Sequence, residues 1–156
     1  MHPTSAIAKL KRIATAALLM FLLSAAPKAS AQTQQEGITV LGTDTIYCTE
    51  TLLKGDTVMA IFHVANYGTQ AFKILQVYAA CQCTAPQYAQ DTFQPGRVDS
   101  VVLFFHSKNI QEPSFEKYAL ILTPLGEKYL YLKGTIFTPG PADKVRQPKC
   151  TIIHNR

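Results

Sequence analysis

Thr57-Val58-Met59-Ala60-Ile61-Phe62-His63-Val64-Ala65-Asn66 is the stretch whose reading decides the fold. The turn-forming Lys54-Gly55-Asp56 precedes it, and Tyr67-Gly68-Thr69-Gln70 follows it. Successive strand side chains point to opposite faces. One phase, Val58, Ala60, Phe62 and Val64, is wholly apolar and predicts a core face. The other, Met59, Ile61, His63 and Ala65, predicts an outer face more apolar than a solvated sheet normally carries.

Similar segments lie on either side. Ile38–Leu41 and Thr45–Thr49 read as one strand interrupted at Gly42, and Phe72–Ala80 as the strand after the 67–70 turn. Residues 84–94 are irregular, with room for one short edge strand. Gln94-Pro95-Gly96 turns the chain into Ser100–His106. Lys117–Thr123 and Lys128–Phe137 flank Pro124-Leu125-Gly126. Short strands separated by turn residues at this spacing predict an all-β fold, an antiparallel sandwich of about seven strands. No segment of residues 38–138 keeps helical apolar spacing over three turns.

Ahead of this region the chain has a different character. Lys9, Lys11 and Arg12 precede the apolar run Ile13–Ala26, and Ala29-Ser30-Ala31 supplies the small-x-small pattern of a cleavage site. The run is shorter than the ~20 apolar residues a membrane helix needs. Residues 1–31 are therefore expected to be a cleavable signal peptide, which makes the protein exported, either periplasmic or secreted. Residues 32–37 form a short polar lead-in, 38–138 the sandwich, and 139–156 a tail containing Pro139, Pro141 and Pro148. Of the 15 Lys and Arg in the chain, four lie before Gln32; the remaining 11 face 10 Asp and Glu. A net charge of +1 leaves no clustered basic surface for phosphate binding, so nucleic acid is not an expected partner. No transmembrane segment is expected after residue 31.

The motifs within 38–138 are Gly55-Asp56-Thr57-Val58, Phe62-x-Val64-x-Asn66-x-Gly68, Phe72-x-Ile74-x-x-Val77, Cys81-Gln82-Cys83-Thr84, Pro95-Gly96, Val101-x-Leu103-x-Phe105 and Lys133-Gly134. In this order and spacing they resemble the domain of unknown function 1573 family. The resemblance implies an immunoglobulin-like sandwich in an exported protein, of a kind common in Bacteroidetes. It implies no chemistry. The family pattern Cys-Gly-Cys-Thr is broken here by Gln82, which removes whatever a glycine's positive φ would serve at that position.

An immunoglobulin-like topology makes the 57–66 and 100–106 strands neighbours. Their outer face then carries Met59, Ile61, Val102 and Phe104. On the other sheet Tyr129, Tyr131 and Lys133 point outward if Leu130 and Leu132 point in, and Tyr118 shares an outward face with Leu120 and Leu122. A monomer's largest apolar patch is ~300–600 Å², and each aromatic can bury ~150–250 Å². These faces therefore call for a cover: the tail around Ile152 and Ile153, a partner protein, or a second copy of the chain.

Four cysteines in an exported chain point to disulfides. Cys48, Cys81, Cys83 and Cys150 allow three pairings; we favour Cys48–Cys150 as a staple for the tail, with Cys81–Cys83 as a separate pair closing a small ring. The competing reading makes Cys81 and Cys83 two thiolates for Cu(I) or Zn, or a redox thiol pair. His63 and His106 are outward candidates to join them. The sequence has no Gly-x-Ser-x-Gly elbow and no phosphate-cradling loop. Asp91, Asp99 and Glu116 are scattered near turns. The expectation is a non-enzymatic module without a cofactor that binds protein or builds envelope structure.

Overall fold

A computed structural model describes residues 37–143 and 146–155. The signal-peptide and lead-in expectations, apart from Gly37, fall outside these residues. The strands are β1 (Ile38–Val40), β2 (Thr45–Tyr47), β3 (Leu52–Leu53), β4 (Thr57–Asn66), β5 (Gln76–Ala79), β6 (Thr84–Tyr88), β7 (Val98–His106), β8 (Ser114–Thr123), β9 (Gly126–Phe137) and β10 (Cys150–His154). A 3₁₀ turn at Ser107–Asn109 follows β7.

Two sheets form. The first runs β6-β7-β4, with β1 and β10 side by side along the free edge of β4. The second runs β5-β8-β9, with β2 and β3 along β9. Inward residues of both sheets share one core, including Phe62, Phe105, Leu103, Ile121, Leu130 and Leu132, and Phe93 from the loop before β7 joins it. This is the expected all-β sandwich, with short edge strands added. The β4–β7, β6–β7, β5–β8, β8–β9 and β1–β4 pairs are antiparallel. The edge strands β2, β3 and β10 pair in parallel.

The decisive stretch behaves largely as its pattern requires. Val58, Ala60, Phe62 and Val64 are fully buried, while Met59, Ile61 and His63 are half-covered on the other face. Ala65 departs from the expectation and is buried, where β1 and β7 close on both sides of it through Thr39 and Val98. The interrupted first strand proves to be two strands in different sheets. The chain changes sheets at Gly42, whose φ of +76° suits glycine. The 72–80 segment pairs over Gln76–Ala79 only, and Phe72 forms a single bridge with Phe93 instead.

Buried polar side chains fix the turns. Asn66 Nδ2 donates to the carbonyls of Gln70 (2.8 Å) and Phe93 (2.9 Å), and its Oδ1 accepts from the Gly68 N–H at 3.0 Å. That explains the Asn66-x-Gly68 spacing. At Gly134 an added Cβ would lie 2.9 Å from both Cys48 Cβ and the Phe115 ring, so the strand needs glycine for close approach.

The tail does not cross a face of the sandwich. It returns as β10 and extends the first sheet. Two clamps hold it. At the start, buried Asp56 accepts hydrogen bonds from Leu53 N (2.9 Å), Lys149 N (2.7 Å) and both Arg146 guanidinium nitrogens (2.9 and 2.6 Å). At the end, Asn155 Oδ1 accepts from His63 N at 2.9 Å, and its Nδ2 donates to the carbonyls of Leu41 (2.6 Å) and Thr43 (3.0 Å). The Arg146 hydrogen bond, helped by the Lys149 and Leu53 N–H groups and opposed by burial, holds the Asp56 carboxyl down at about 2. A carboxyl lowered from 3.8 stabilises the fold above that value and loses its contribution as pH falls toward 2. Asp56→Ala leaves buried N–H donors unpaired. It should cost about 2–3 kcal/mol in urea unfolding at pH 7, with a smaller deficit at pH 2.

Candidate functional site

The structure places the predicted interaction residues on two outer faces. On the first sheet Met59 stands opposite Phe104 and Ile61 opposite Val102, all four half-covered. β10 widens this apolar row, since Ile152 is the register partner of Met59 and is exposed.

The second sheet carries the more pronounced feature. Tyr118 is the register partner of Tyr131, and Leu120 of Tyr129. The three tyrosine rings lie with centroids 5.8–6.4 Å apart. Leu122 lies on the same face, while Ala119 and Ile121 point into the core. Sequence reasoning missed two further members. Tyr47 on β2 pairs in register with Lys133, and Tyr78 on β5 with Leu120. The available signal was phase: each follows a residue, Ile46 or Val77, that is buried. Tyr47, Tyr78, Tyr118 and Tyr129 are between 39 % and 63 % exposed. At one rim Lys133 Nζ lies 3.0 Å from Glu116, which raises the lysine pKa, and 5.8 Å from the centre of the Tyr131 ring.

The cysteines follow the expected pairing at Cys81–Cys83 and depart from it at Cys48 and Cys150. Cys81 and Cys83 are joined as a disulfide, so they offer no thiolates to a soft metal. The expected Cys48–Cys150 staple is not formed, and both are free. Strand phase is the reason. Cys150 alternates with Thr151 and Ile153 and faces outward beside Thr57, whereas Cys48 is in phase with buried Ile46 and packs against the core. Burial pushes the Cys48 thiol up to about 11.

The histidines are also regrouped. His63 and His106 both sit outward but at opposite ends of the β4–β7 pair, against Ser100 and Thr57. Six residues of strand, about 20 Å, separate those rows. His63 Nε2 instead lies 3.3 Å from Nδ1 of His154 on β10, while His63 Nδ1 lies 3.2 Å from Ser100 Oγ. Among the described residues no group of three or more His, Cys, Asp or Glu is arranged to hold a metal ion. Among them also, no helix is long and apolar enough to cross a membrane.

Two facing sheets with strands added at their edges define an immunoglobulin-like, PapD-like sandwich. The chain belongs to the family described as protein of unknown function (DUF1573), whose model matches residues 40–136. Among solved structures it is similar to a protein of unknown function from Porphyromonas gingivalis W83, with TM-score 0.55, 12 % identity and coverage of 69 % of this chain and 51 % of that one. The chain thus spans about half the length of that protein. It is also similar to the ASH/PapD-like domain 7 of human CEP192, with TM-score 0.52, 10 % identity and coverage of 74 % and 95 %. At such identities the likeness is one of fold. No curated protein matches the sequence.

The thiol environments give a direct test. Iodoacetamide at pH 7 should label Cys150 rapidly and leave Cys48 unmodified until the protein is unfolded, as read by peptide mass mapping. Equal labelling of the two in the folded protein would contradict the burial of Cys48.

Proposed function

We propose that the chain is an exported, non-enzymatic binding module that docks a protein partner on the tyrosine-bearing outer face of its second sheet. The observation that carries this reading is the five-tyrosine surface of Tyr47, Tyr78, Tyr118, Tyr129 and Tyr131, continued by Leu120 and Leu122. Tyrosine is enriched at protein interfaces because it offers large area at low conformational cost together with a hydroxyl for hydrogen bonding. Four or five such rings supply much of the ~800 Å² per side that a specific interface buries. The Glu116–Lys133 pair at the edge fits the polar rim of such an interface.

Export is supported by the basic, apolar and small-residue pattern of residues 1–31. It puts the module in the periplasm or outside the cell. The non-enzymatic reading rests on the absence of catalytic motifs noted in the sequence.

The test combines in-cell crosslinking with capture from the envelope fraction, using the wild-type protein and the Tyr118→Ser/Tyr129→Ser pair. A protein crosslinked by the wild type should be lost with the double variant, which stays folded because both side chains are exposed. A partner retained by the double variant would refute this face as the docking site. A wild-type protein that crosslinks only to itself would replace the partner with a second copy of the chain.

A further inference from the structure

A second feature lies away from the tyrosine face and does not depend on it. The Cys81–Cys83 disulfide lines a cleft of about 610 Å³ together with His106, Lys108 and Lys117. We propose that this disulfide is a stoichiometric thiol–disulfide exchange centre, consumed once rather than turning over as an enzyme, that accepts two electrons from small acidic thiols, with His106 moving the proton to the departing sulfur.

The placement of His106 follows from the β6–β7 register. Thr84 is the partner of Phe105, so Cys83 stands one step on, opposite His106. The His106 N–H donates to the Cys83 carbonyl at 2.8 Å, which ties the two backbones together. The imidazole is held from its other side, where Nδ1 lies 3.0 Å from Thr57 Oγ1. That contact occupies one ring nitrogen and leaves Nε2 for proton transfer. The imidazole and the disulfide line the same cleft, and a base oriented by a third group is one part of the arrangement that activates thiol chemistry. Thr84 Oγ1 lies 3.5 Å from Cys81 Sγ and 3.9 Å from Cys83 Sγ, within reach of the thiolate that forms. Among the described residues lining the cleft, the charged side chains are lysines and there is no carboxylate. A site of one sign raises the local concentration of the opposite one, here an anionic thiol.

The exchange balances without another oxidant. His106 takes the proton of the incoming thiol, and the substrate sulfur bonds to Cys81 Sγ as the Cys81–Cys83 bond breaks. Cys83 leaves as a thiolate and receives that proton. A second substrate thiol then attacks the first substrate sulfur. The substrate disulfide departs, and Cys81 leaves with the second proton. Two thiols are oxidised to one disulfide and one protein disulfide is reduced to two thiols.

The experiment uses protein carrying Cys150→Ser, so that the exposed free thiol takes no part. Reduced glutathione (anionic) and cysteamine (cationic) are added at matched thiolate concentration. After alkylation, opening of the Cys81–Cys83 bond is read by mass mapping. Glutathione should open the bond at pH 7, faster than cysteamine by roughly threefold or more. Lys108→Gln/Lys117→Gln should abolish that preference. His106→Gln should slow opening by roughly tenfold or more. His106 is exposed, so circular dichroism should report an intact fold in this variant. With Cys83→Ser, oxidised glutathione should leave a stable mixed disulfide on Cys81. The proposal is overturned if millimolar glutathione leaves the bond closed in the folded protein while opening it in urea. It is equally overturned if His106→Gln opens at the wild-type rate, or if the lysine pair leaves the thiol preference unchanged.

Discussion

The pairing of β4 with β7 is the constraint on which the rest of the first sheet depends. Nine residues of β4 are in register with β7, from Thr57↔His106 to Ala65↔Val98. This long pair puts Val58, Ala60, Phe62 and Val64 on one side with Val101, Leu103 and Phe105, all of them buried. A slip of one residue would send every one of these side chains to the solvent face. The same register decides what lies outside. It sets Met59 against Phe104, Ile61 against Val102, and His106 against Thr57, and it delivers His106 to the cleft of the disulfide.

The other edge of β4 is completed by the chain's own C-terminus. An uncovered strand edge invites pairing with another chain. Here β1 takes the end of β4 and β10 takes its beginning. The clamps at Asp56 and Asn155 are polar and buried, and each satisfies several backbone groups at once. Such groups are costly to leave unpaired, which gives the tail one position rather than many. The end of the region expected as an extended tail, Cys150–His154, is therefore part of the sheet, although Pro148 just before it carries no strand pattern of its own.

The two outer faces differ in kind. The first sheet's apolar row is half-covered and is extended by β10. The second sheet's tyrosines stand well into solvent, with a charged pair at their rim. For that reason the second face is the one proposed for protein docking. The cleft at Cys81–Cys83 is lined from β7, the 3₁₀ turn, β8 and the loop before β6, so the two proposals draw on different surfaces.

Alternation in 57–66, 100–106 and 128–137 determined by itself that this is a sandwich, that Val58, Ala60, Phe62, Val64, Val101, Leu103, Phe105, Leu130 and Leu132 face its core, and that Tyr129 and Tyr131 share an outer face. Those are local properties: a period of two is written in neighbouring residues. Tertiary structure decided the rest, because it depends on which distant segments meet. Cys48 and Cys150 read as a staple for the tail, yet opposite strand phases keep them apart. His63 and His106 read as outward residues of neighbouring strands, and only the antiparallel register fixes them at opposite ends and brings His154 to His63. Tyr47 and Tyr78 join the aromatic face only because β2 and β5 pair with β9 and β8. Register between non-consecutive strands is a long-range choice, made by burial and by buried hydrogen bonds rather than by any short stretch of sequence.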